Sequence, residues 1–181
     1  MIKLNDTVKI LMTVFGALGV GYGFYIYFNA INLVEITDGI TIPMELSIAV
    51  IVIWLGAILT LNQEKISMPK EIKEIVNPIK SWGALFMGTP KWVVTLAIMC
   101  FIFGLVNFGI MMTNIGLTGV IEGKYVIHNH GQIIKELTEK EFLIEKSKEL
   151  KGITAMHILF LGMGTGILYP RKGFEQAATN A

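Results

Sequence analysis

Charge is what this sequence has least of. Only 16% of its 181 residues are Asp, Glu, Lys or Arg, where a soluble domain carries about 25%. The deficit is concentrated in long uncharged blocks, and mean hydropathy is +0.61. That pattern points to a bilayer rather than to a large core surrounded by water. The net charge of +1 gives no bulk attraction to nucleic acid. Cys100 is the only cysteine, so an internal disulfide and a cysteine metal cluster are both excluded. Its apolar neighbours mark it as a packed thiol. No apolar run carries an Asp, Glu, Lys or Arg at its centre, which weighs against a proton-driven pump built from one copy. A P-loop, a Rossmann glycine pattern and an HExxH zinc motif are missing. Ser47, Ser67, Ser81 and Ser147 stand in no nucleophile-elbow context. Gly162-Met-Gly-Thr-Gly166 partly matches a dinucleotide loop, but it follows no strand and lies inside an apolar run.

What is present is four apolar runs, at 10–28, 44–61, 92–115 and 153–169. About 20 helical residues at ~1.5 Å each cross the ~30 Å hydrocarbon layer. The first run follows Lys3 and Lys9, is longer than a signal-peptide core and has no Ala-x-Ala site. It reads as a span that doubles as an uncleaved signal-anchor. Tyr22, Phe24, Tyr25, Tyr27 and Phe28 crowd its far end as an aromatic belt does. The run at 92–115 carries two asparagines in apolar surroundings and is taken as the span around which the others are arranged.

Between spans two and three, Ile72, Ile75, Val76, Ile79 and Trp82 recur at helical offsets. They predict an amphipathic helix over 69–86 at the headgroup level. Between spans three and four, 124–128 and 132–137 alternate like strands around an Asn129-His130-Gly131 turn. Thr138 has Glu141 three residues on, the pattern of a capping box that opens a charged helix to about 151. Gly152 either separates that helix from span four or lets the two abut. The expected fold is therefore an all-α membrane protein: four transmembrane helices, an interfacial amphipathic helix, and a small β-hairpin plus helix inserted between spans three and four. By region, 1–115 holds spans one to three, 116–152 the extramembrane insertion, and 153–181 span four with a tail.

Two sets of residues stand out. Gly16, Gly19 and Gly23 in span one, and Gly162 and Gly166 in span four, have the spacing of small-residue helix contacts, although membrane helices are rich in glycine generally. Gly104, Asn107, Met111 and Asn114 step by three, four and three and share one face of span three. An amide in hydrocarbon needs a partner, so this face points into protein. It reads either as packing held by hydrogen bonds or as a polar path. His157 joins it as an ionisable group inside a span. His128 and His130 form a His-x-His pair, a weak metal candidate because zinc wants three or four protein ligands. A bis-histidine haem needs a second membrane histidine, which the chain lacks, and no cofactor is expected.

Positive charges set an orientation. With the N-terminus inside, nine of the 15 basic residues fall on inner segments and six on outer ones, all six in the third loop. Both termini are then cytoplasmic, in a plasma or bacterial inner membrane. The expected role is a non-enzymatic subunit or assembly partner in a membrane complex, in contact with lipid and with other membrane subunits or its own copies. The alternatives are a homo-oligomeric transporter or channel component lined by the Asn/Gly face, and a membrane redox or metal enzyme using His157 or His128/His130.

Overall fold

The computed structural model describes residues 4–33, 44–64, 85–113, 116–130 and 132–171. Four helices occupy most of it: α1 (Asp6–Leu33), α2 (Met44–Gln63), α3 (Lys91–Met112) and α4 (Glu139–Leu168). All four are long and apolar enough to cross a membrane. Strands β1 (Leu117–Ile121), β2 (Lys124–Asn129) and β3 (Gln132–Glu136) lie between α3 and α4. The amphipathic helix expected over 69–86 falls outside the described residues except for Leu85 and Phe86 at its end; Phe86 is buried in the helical core.

The hub of the bundle is α4, not α3. The most apolar stretch of α4 is 72% buried, against 17%, 39% and 22% for α1, α2 and α3. The physical reason is side-chain size. Helices α1 to α3 are apolar on every side and turn large residues outward, among them Leu18, Phe28, Ile51, Met99 and Ile110. Helix α4 presents small residues in several directions. A Cβ added at Gly162 would lie 2.5 Å from Cys100 Cβ on α3, and one at Gly164 would lie 2.7 Å from Ile53 Cγ2 on α2. Against α1 the roles reverse: there Gly16 receives Thr165, Gly19 receives Leu161 and Gly23 receives Ile158. Such close approach lets dispersion contacts accumulate between the helices.

These contacts also fix direction. Along α1 they advance from 16 to 23 while those on α4 retreat from 165 to 158. On α3, Cys100 meets Gly162 whereas Met111 meets Gly152, again running opposite to α4. Helix α2 runs with α4, since Ser47 meets His157 and Gly56 meets Leu168. The start of α1, the end of α2, the start of α3 and the end of α4 therefore gather at one end of the bundle. The strands lie at the other.

The insertion holds three strands rather than the hairpin alone, in the order β1-β2-β3 with both pairings antiparallel. The added strand turns back through Glu122 (φ 52°) and Gly123 (φ 76°). Two consecutive left-handed residues make the tight turn that suits a twisted hairpin. Glu at its first position and Gly119 inside the strand disguise both from a reading of the sequence. His130 (φ 48°) is likewise left-handed at the second turn. The capping box at Thr138 and Glu141 is present, and α4 then continues through Gly152 without a break. Gly152 serves as a contact: a Cβ there would lie 2.5 Å from Met111 Sδ.

Candidate functional site

Polar side chains collect in three places. The first is inside the bundle, toward the strands. Tyr27 on α1 donates its hydroxyl to Asn107 Oδ1 on α3 at 2.6 Å, and Asn107 Nδ2 donates to the Phe103 carbonyl at 2.8 Å. Phe103 packs edge-on to Tyr27, with ring centroids 4.9 Å apart. On another side of α4, His157 Nδ1 lies 2.8 Å from the Ile153 carbonyl, and Nε2 lies 3.0 Å from Ser47 Oγ. The carbonyl can only accept, so Nδ1 carries a hydrogen; in the neutral ring Nε2 then accepts from the Ser47 hydroxyl. Asn107 is thus directed to α1 and His157 to α2, each with its own partner. Gly104 and Met111 pack against α4, at Leu159 and Gly152 respectively. Asn114 lies outside the described residues.

The second place is the opposite end. Glu64 Oε1 lies 3.3 Å from Lys9 Nζ, and Glu64 Oε2 lies 3.0 Å from Arg171 Nη1. Arg171 Nη2 donates to the Leu85 carbonyl at 2.5 Å. One carboxylate and one guanidinium thereby join α1, the end of α2, the approach to α3 and the end of α4. The Arg171 side chain is 1% exposed and that of Glu64 13%. Burial of this order requires opposite charge nearby. A cavity of about 620 Å³ opens beside the cluster, walled largely by Ile10, Val14, Pro90, Tyr169 and Pro170. Arg171 borders it, yet its guanidinium is committed to Glu64 and two carbonyls. In the sequence Lys9 and Arg171 count only toward orientation, and their joint contact with Glu64 is not visible there. A signal existed: Arg171 is the single arginine among 15 basic residues, and arginine is the side chain suited to a buried ion pair.

The third place is where the sheet meets the first half of α4, before Ile153. Glu149 is 3% exposed, and its Oε1 accepts from the Thr118 amide of β1 at 2.6 Å. Burial pushes its carboxyl above the usual range, opposed by the Thr118 amide, by the Thr118 hydroxyl and by Lys146. Lys146 lies over the Phe142 ring at 5.2 Å, and Phe142, fully buried, packs on Tyr125 of β2. His128 Nδ1 is buried with no hydrogen-bond partner among the described residues, and His130 is exposed. No group of three or more His, Cys, Asp or Glu side chains placed to hold a metal occurs among the described residues.

No protein-family profile, curated protein or solved structure matches this chain.

Proposed function

We propose that the chain is a multi-pass membrane subunit that holds its three-stranded module rigidly at one face of the bilayer for a partner in a larger assembly. The observation that carries this is the unbroken α4, about 45 Å long at ~1.5 Å per residue, whose outer half carries the sheet and whose inner half is gripped by three helices. A helix fixed along its length gives the module a defined height and direction. Two further features favour scaffold over pathway. The described amide and imidazole within the bundle each have a partner on another helix, Asn107 with Tyr27 and His157 with Ser47, and α4 fills the axis that a path through one copy would follow. The count of basic residues supports placing the gathered ends in the cytoplasm and the module outside.

The test is a native mass spectrum of the intact protein extracted in mild detergent from its own membrane. The expected result is a defined complex with additional polypeptide, retained when Asn107→Leu removes the intramembrane amide. A bare monomer in the extract, with the module intact, would overturn the subunit reading.

A further inference from the structure

We propose that Glu149 is a proton-operated clasp between the sheet and α4, tightening the hold on β1 when its carboxylate takes up a proton and loosening it when the proton leaves. This rests on the reading above that the module stands outside the bilayer, in contact with water.

The two carboxylate oxygens of Glu149 have different surroundings. Oε1 accepts from the Thr118 amide. Oε2 is buried with no hydrogen-bond partner among the described residues. In the ionised form, negative charge is therefore shared by an oxygen with no donor in hydrogen-bonding geometry, in a side chain almost closed to water; the Thr118 hydroxyl favours that form, but burial outweighs it. That is the costly arrangement for a carboxylate. Protonation at Oε2 removes the charge and leaves Oε1 free to accept from Thr118 as before. The link to β1 survives in both forms, but only the ionised form bears the cost of burial.

The charges around it do not cancel this. On its own helix, Lys146 favours ionisation and Glu145 opposes it. Strand β1 has no titratable side chain. On β2, Lys124 is paired with Glu136 of β3, and Tyr125 stacks on Phe142. His128 is the remaining titratable group of β2, and Lys135 of β3 is paired with Glu141. Helix α3 has no charged residue after Lys91, at its far end, and on α1 the nearby Tyr27 is bonded to Asn107.

The position gives the proton leverage. Strand β1 follows α3 closely, and Gly152 packs on Met111 three residues beyond Glu149. The sign is definite. A carboxyl held above its ordinary range when folded contributes stability that is complete below that range and lost as pH rises through the folded value.

The experiment is hydrogen exchange of the β1 amides against pH, corrected for intrinsic rate, on the full chain in lipid nanodiscs. The opening constant of β1 is expected to rise with pH through the Glu149 titration, by up to about tenfold per pH unit. In Glu149→Gln, which is neutral and keeps an acceptor, the profile is expected to be flat and protected. A flat wild-type profile, or the same slope in Glu149→Gln, overturns the proposal. If the variant does not fold, the Glu149 carboxyl titration followed by NMR in the wild type takes its place: its midpoint must coincide with that of β1 opening, and separate midpoints overturn the clasp. Maleimide labelling of Lys140→Cys in permeabilised vesicles checks the placement separately. An unlabelled cysteine defeats the placement, whereas a labelled one with a flat β1 profile defeats only the clasp.

Discussion

The two ends of this bundle are fastened by different physics. At the end where α1 and α3 begin, a buried carboxylate draws in one lysine and one arginine. Toward the strands, the helices are tied by neutral pairs, Tyr27 with Asn107 and Ser47 with His157. The charged end gains strong attraction but fails badly when one member is lost, because the survivor is left buried and unpaired. The neutral end gains less per bond and loses less when a bond is broken. Between them lies a zone held by the absence of side chains, where glycines let α4 and its neighbours approach.

The sharpest way to break this comparison is Glu64→Ala. It strands Arg171, whose side chain is 1% exposed, and is expected to cost roughly 3 kcal/mol, read as a lowered thermal midpoint in detergent. If Tyr27→Phe costs as much, the ends do not differ in the way described. Next comes Gly104→Leu. Its side chain would meet Leu159 and the Ala155 carbonyl, 2.8 Å from an added Cβ, whereas Gly109 has nothing within 4 Å. Overpacking predicts a loss of about 1–3 kcal/mol at Gly104 and little change for Gly109→Leu in the same assay. Equal losses would show that glycine serves the backbone and not the contact. Tyr27→Phe itself should cost about 1 kcal/mol, with the bundle still assembled.

The smallest effect should come from acid. Glu141 is held at about 2 by the Thr138 amide and hydroxyl and by Lys135. Its folded value lies below the ordinary carboxylate value of about 4.3. Its contribution is therefore complete above that value and lost as pH falls toward 2, loosening the first turn of α4. Amide exchange at Glu141 and Phe142 reads this out, and Glu141→Ala should remove the dependence.

How much of this was legible in the sequence varies by interaction. The four long helices follow from uncharged runs, a local property. The capping box follows from two residues three apart. The hub does not, because glycine spacing shows that a face is smooth and not which helix lies against it. Asn107 announces a need for a partner, yet Tyr27 is 80 residues away and looks like one aromatic of an interfacial belt. Polarity alone groups His157 with the Asn face; the different directions of their side chains separate them. The Arg171–Glu64 pair spans most of the chain, and charge counting discards the pairing it depends on. Strand β1 was hidden by an unfavoured turn residue and an internal glycine, and it gains its place by docking on Glu149.

The hub is also the last of the four long helices to be synthesised. Helices α1, α2 and α3 leave the ribosome before the surface they pack on exists, with Gly16, Gly23 and Gly104 unpacked until then. In the membrane reading, final assembly waits on the arrival of α4. Truncation within this helix then orphans three inserted spans at once, making the completeness of its synthesis a checkpoint for quality control.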